Sequence, residues 1–137
     1  MSMSTIGVPL EGFGVYCRAA AAEGAVLLKN EGHMFPLKKE EMVSVFGRCQ
    51  FETYRSGTGS GGAVNVPYAV NIYDGMRESG SFTLNEELAD IYRAWLKDHP
   101  FDNGGGGWAA EPWHQKEMVI TEEIAAAAAE KSEKAIF

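Results

Sequence analysis

Cysteine is scarce: Cys17 and Cys49 are the only two among 137 residues. Two thiols are too few for a disulfide scaffold, and neither has metal-type spacing, so both are expected reduced. Basic residues are also in the minority, 12 Lys and Arg against 19 Asp and Glu, for a formal charge of −7. They are scattered, which excludes the basic patch a nucleic acid needs and the polybasic cluster a membrane anchor needs. No apolar run approaches the roughly 18 residues of a membrane span. The opening MSMSTIGVPLEGFG lacks a positive stretch followed by an apolar one, the pattern of a secretory signal. His33, His99 and His114 show no ligand spacing and no evident carboxylate partner, and no role is assigned to them. The expectation is a soluble, cytoplasmic chain with no cofactor, no metal, no nucleic acid and no membrane.

What is present reads as globular. Hydrophobic residues make up 45% and charged residues 23%, enough apolar mass for a real core in one small domain or part of a larger one. The alanine-rich segment Tyr16 to Asn30 reads as a helix whose Val26, Leu27 and Leu28 supply a buried face, with Gly32 and Pro36 as stops. Met42 to Gly47 is a short β-branched run ending in glycine, a buried strand. Pro67 to Glu78 reads as a helix with Tyr68, Ile72 and Met76 on one stripe and Gly80 closing it. A second amphipathic helix runs from Glu86 to Asp98, with Leu88, Ile91, Tyr92, Trp95 and Leu96 facing the core. Thr83 or Asn85 is its cap, and Pro100 follows it. Thr121 caps a last helix that begins with Glu122 and Glu123 and runs to about Lys131. Ala135-Ile136-Phe137 then reads as the start of a second parallel core strand, and the chain as cut there. The charged stretch Lys38 to Glu41 is a solvated turn.

Two glycine-rich stretches remain. Gly57-x-Gly59-x-x-Gly62 matches the dinucleotide fingerprint in form, but about ten residues separate it from the strand end at Gly47, where that motif requires an immediate turn. No Gly-Lys-Ser/Thr accompanies it. A surface loop, or a loop bringing backbone and small hydroxyls close to a polar ligand, suits the residues better. In Phe101 to Trp113, Trp108 and Trp113 flank Gly104–Gly107. Packing of these tryptophans onto their own domain is favoured over an aromatic platform for a sugar.

The segment Glu23-Gly24-Ala25-Val26-Leu27-Leu28-Lys29-Asn30-Glu31-Gly32, then Phe35-Pro36-Leu37, then the strand Val43 to Gly47, resembles the start of the α/β sandwich domain of family-three glycoside hydrolases. Ser56 to Gly61, Val64-Asn65 and Asp74-Gly75-Met76 resemble its continuation, so the likeness covers nearly the whole chain. Phe35 stands where leucine is usual. The resemblance implies an α/β fold, a three-layer sandwich with a mostly parallel sheet, incomplete and ending in the second core strand, with residues 1–137 forming part of the domain.

It implies chemistry as well. Relatives of this kind are β-glucosidases that cleave β-glucosides or short oligosaccharides with an aspartate nucleophile on a (β/α)-barrel and a glutamate acid/base on the sandwich. A retaining glycosidase needs its two carboxyl groups about 5–5.5 Å apart. The barrel is not encoded in 137 residues. The family's Gly-Glu acid/base motif would follow Ala135-Ile136-Phe137. None of Glu111, Glu122, Glu123 and Glu130 sits in the matching context, so no catalytic residue is assigned and the isolated chain is expected to be inactive. Ser60, with Gly59 and Gly61, maps to the loop that reaches the glycosyl pocket; its hydroxyl either contacts sugar or only shapes the turn. Arg55 either braces this loop or is solvated. If Met1 is the natural start, the order is sandwich before barrel. The alternatives are a non-catalytic carbohydrate-binding or interaction module and a nucleotide-binding α/β domain.

Overall fold

The computed structural model describes residues 10–54, 68–107 and 110–137. The chain divides into two compact units, Met1–Phe35 and Pro36–Phe137.

In the first unit, helix α1 spans Phe13–Gly24, entered through Gly12 in a left-handed conformation. It starts earlier and ends earlier than the alanine pattern suggests: Ala25 turns extended, and Val26, Leu27 and Leu28 lie exposed outside the helix rather than on a buried face. Gly24, a poor helix former, is the last helical residue. Asn30 then clasps Phe35, donating from Nδ2 to the Phe35 carbonyl and accepting the Phe35 N–H, both over 2.9 Å.

The second unit is built on a parallel three-stranded sheet in the order β2-β1-β3, where β1 is Met42–Val45, β2 is Thr83–Leu84 and β3 is Lys134–Ile136. Strand β1 is central and β-branched, and its residues Val43, Ser44 and Val45 are all buried, as a parallel strand covered on both faces requires. Val43 and Val45 pack with Tyr73, Leu84 and Ala89, joined by Met76 and Phe51. Phe46 belongs to a second cluster with Leu88, Tyr92, Met118 and Ala128. The strand and the residue that follows it therefore touch two cores, giving the layered α/β arrangement. A parallel strand does form here, at Lys134–Ile136, but it is third in sequence because β2 intervenes, and it is partly exposed rather than buried, with Phe137 beyond it in solvent. The two residues of β2 carry no periodicity, and locally Thr83 reads as a helix cap. Its N–H instead donates to the Glu41 carbonyl over 2.9 Å.

Helix α2 covers Ile72–Ser79 and begins later than Pro67. Asn71 caps it, accepting from the Asp74 N–H over 2.7 Å, so the chain before it is not helical. The buried face is Tyr73 with Met76, not Tyr68 and Ile72, which are exposed. Helix α3 runs Glu86–Asp98 with Asn85 as its cap, and α4 runs Glu122–Lys131 with Thr121 as its cap. The Lys38–Glu41 turn forms, and Glu41 reaches back to pair with Lys134 of β3 at 2.8 Å.

Candidate functional site

Ligands of open parallel sheets bind beyond the carboxyl ends of the strands. At that end of β1 the chain passes through Gly47, whose φ of 92° and ψ of 134° suit glycine. Its N–H donates to the Tyr92 hydroxyl over 2.8 Å. Burial pushes the Tyr92 phenol upward, although the hydrogen bond from Gly47 works the other way.

The turn at Arg48–Gln50 then buries Arg48, whose side chain is 3% exposed. A buried guanidinium must have its donors satisfied. Here Nε and Nη2 both donate to Glu52, Nη2 also to the His99 carbonyl, and Nη1 to the Lys116 carbonyl over 2.7 Å. The Arg48 N–H donates to the Glu117 carboxylate over 2.8 Å. Trp95 lies under the guanidinium, 5.3 Å from its ring centre, and stacks on His99 at 4.2 Å. Arg48 thus ties the end of β1 to the segment that follows α3.

That segment is tied down a second time. Gln115 donates from Nε2 to the Asp102 carbonyl and accepts the Asp102 N–H, both at 2.8 Å, and also donates to the Tyr54 hydroxyl at 3.0 Å. Tyr54 donates to the Pro112 carbonyl over 3.1 Å and meets the Phe101 ring edge-on at 5.2 Å. Between these anchors opens a groove of about 450 Å³ lined by Arg48, His99, Asp102, His114, Gln115 and Lys116, among others. Gly104, at φ 60°, turns so closely against the Ala110 carbonyl that a Cβ would collide with it.

Arg55, Gly59, Ser60 and Gly61 fall in 55–67 and Trp108 in 108–109, outside the described residues. The residue before Arg55, Tyr54, is one of the groove's anchors. Trp113 departs from the packing expected of it, with 91% of its surface exposed. The loop is instead held by Tyr54 and Gln115, which leaves the indole out of the packing. Glu122 and Glu123 lie in the first turn of α4. Among the described residues there is no group of three His, Cys, Asp or Glu suited to a metal, and no helix long and apolar enough to cross a membrane.

The sequence reading missed Arg48, Tyr54 and Gln115, each of which has a partner about 50 to 70 residues away. The position of Arg48 directly after the strand-closing glycine is the one local signal it carried. His99 and His114 received no role and line the groove.

Comparison with known proteins gives the lineage. Residues 25–137 match the Glycosyl hydrolase family 3 C-terminal domain. The chain is 48% identical over 115 residues to a β-glucosidase of Ruminococcus albus, covering 84% of this chain and 12% of that protein. It is 35% identical over 118 residues to β-glucosidase A of Butyrivibrio fibrisolvens, covering 86% of this chain and 14% of that protein. The crystal structure of a β-glucosidase from Paenibacillus barengoltzii superposes with a TM-score of 0.89 at 64% identity, covering 97% of this chain and 14% of that one. β-Glucosidase 3B of Thermotoga neapolitana in complex with α-D-glucose gives a TM-score of 0.75 at 32% identity, covering 92% of this chain and 17% of that one. The chain thus spans only a small part of the length of its relatives. Over most of its own length, in sequence and in fold, it belongs to glycosyl hydrolase family 3 as a C-terminal-type domain.

Proposed function

We propose that this chain serves a β-glucosidase, supplying part of the sandwich domain and one wall of the active site while providing neither catalytic carboxylate. The observation that carries this reading is the 64% identity at a TM-score of 0.89 with the Paenibacillus barengoltzii β-glucosidase. In the reaction proposed, a barrel aspartate attacks the anomeric carbon of a terminal β-glucosyl residue. A sandwich glutamate protonates the leaving oxygen and then activates water, so configuration is retained. Both groups lie outside these 137 residues in this reading. The part left to this chain is positional: the loop carrying Gly59, Ser60 and Gly61 contributes a hydroxyl and close backbone to the bound sugar, with Arg55 bracing it.

Two experiments test this. With nitrophenyl β-glucoside, the chain alone is expected to give no turnover, and robust hydrolysis would overturn the assignment of both carboxylates elsewhere. Grafted in place of the corresponding segment of the Paenibacillus barengoltzii enzyme, it is expected to preserve β-glucosidase activity, and Ser60→Ala in that chimera is expected to raise KM. A folded chimera that is inert on β-glucosides would remove the functional reading.

A further inference from the structure

The loop after α3 carries Asp102-Asn103-Gly104-Gly105, and Asn103 is the only asparagine of the chain that is followed by glycine. In such a pair the backbone can attack the side chain most readily, because the residue after the asparagine has no Cβ to block the approach. Here the fold itself demands that glycine. At φ 60° Gly104 lies so close to the Ala110 carbonyl that any side chain would collide with it. Asn103 and the glycines after it are exposed, so water reaches the reacting groups.

The hydrogen bonds around this pair are arranged for reaction. The Gly104 N–H donates to Asp102 Oδ1 over 2.8 Å, which puts a carboxylate on the proton that this nitrogen must lose to act as a nucleophile. The Gly105 N–H donates to Asn103 Oδ1 over 3.0 Å, polarising the side-chain carbonyl and meeting the negative charge that develops on that oxygen under attack. Asp102 is itself fixed, since Gln115 holds its N–H and its carbonyl, both at 2.8 Å. Base, electrophile, nucleophile and oxyanion donor are thus the consecutive residues Asp102, Asn103, Gly104 and Gly105, on an anchored backbone.

We propose that Asn103 is a site of self-catalysed deamidation. The Gly104 nitrogen, its proton passed to Asp102, bonds to Asn103 Cγ. The Cγ–Nδ2 bond then breaks, and the amide nitrogen leaves as ammonia with the proton that Asp102 held. A cyclic succinimide closes and the Asp102 carboxylate is restored. Water opens the ring at either carbonyl, leaving aspartate or isoaspartate at position 103; nothing is oxidised or reduced, and water is the sole co-reactant. Aspartate keeps an acceptor for the Gly105 N–H. Isoaspartate instead routes the main chain through an extra carbon, which breaks the turn in which the Gly106 N–H donates to the Asn103 carbonyl over 3.0 Å. Either product adds a negative charge beside Asp102, on the wall of the groove. The inference is independent of the glycoside reading.

The test follows the folded 137-residue chain over days at mildly alkaline pH. Peptide mass mapping reads the amide-to-acid mass gain at each asparagine, and an isoaspartyl methyltransferase counts isoaspartate. Modification is expected at Asn103 ahead of Asn30, Asn71 and Asn85. It is also expected to run faster in the folded chain than in the same chain unfolded in guanidinium, the reverse of the usual protection by folding. Asp102→Asn, a change at an exposed position, keeps an acceptor for the Gly104 N–H but cannot take its proton. It should slow the folded rate by about tenfold, less than a base shielded from water supplies, and leave the unfolded rate unchanged. Asn103→Gln, whose longer side chain closes a larger ring slowly, should abolish the product at this position. A folded chain that modifies Asn103 no faster than the unfolded one overturns the proposal without any variant, and so does an Asp102→Asn chain that matches its parent.

Discussion

Asn85 donates from Nδ2 to the Ser44 hydroxyl over 2.9 Å in the buried centre of the sheet, while its Oδ1 accepts the Leu88 N–H and so caps α3. Ser44 in turn shares a 2.6 Å hydrogen bond with Ser132, and Ser132 donates to the Ala128 carbonyl at the end of α4. One polar chain thus joins the central strand, the start of one helix and the end of another.

Replacing Asn85 with alanine is expected to destabilise the chain by about 2 kcal/mol, from a lost cap and a buried hydroxyl left short of a partner. Asn85→Asp keeps the cap and should lose less. Urea-denaturation midpoints decide it, and a loss under half a kilocalorie for the alanine variant would mean the polar chain is dispensable.

Gly47 is the hinge between β1 and the groove, and its φ of 92° lies where side chains are strained. Gly47→Ala is expected to lose at least about 2 kcal/mol although its Cβ would meet only the Glu117 carboxylate at 3.9 Å. The strain is in the backbone and not in a clash, so trimming Glu117 to alanine should not rescue it. Rescue by that second change would point to a steric cause.

Arg48→Met should be among the most damaging single changes, at about 3 kcal/mol, since it strands the Glu52 carboxylate and orphans the His99 and Lys116 carbonyls. Arg48→Lys is expected to recover only part, because an ammonium cannot reproduce the planar fork. Thermal melts of the three forms read this out, and parity between Lys and Arg would show that charge alone matters.

Burial, with the Glu86 carboxylate adding to it, pushes the Tyr73 phenol up to about 12. In the unfolded chain a tyrosine ionises near 10, so the folded state holds its proton longer. Stability from this group is complete below about pH 10 and is lost as pH rises from about 10 to about 12. Tyr92, raised by the same cause, acts in the same direction. Unfolding free energy measured from pH 9 upward should therefore fall, and Tyr73→Phe should flatten the decline; an unchanged slope in that variant would assign the loss to other groups.

Much of this architecture was legible before any coordinates. The β-branched run at Met42, the Glu86–Asp98 helix with Pro100 after it, and the Thr121 cap all carry local signals that survive in the fold. The family likeness rested on contiguous residues for the same reason. Readings went wrong where locality fails. Tyr68 and Tyr73 look equally fit for a helix face, and only the Asn71 cap and the sheet beneath select Tyr73. Val26 to Leu28 read as a buried face, yet the helix ends before them and they are exposed.

The groove belongs to the second category entirely. By itself the sequence determined most segments that become helices and strands, though not the two-residue β2, because periodicity, caps and breakers act over a few residues. It also determined the family, through a set of short motifs in order. Only the tertiary structure decided that Arg48 is buried, that Tyr54 and Gln115 brace the loop after α3, and that Trp113 is left in solvent. The burial of Arg48 and the bracing by Tyr54 depend in large part on hydrogen bonds between residues about 50 to 70 positions apart, which no local pattern encodes.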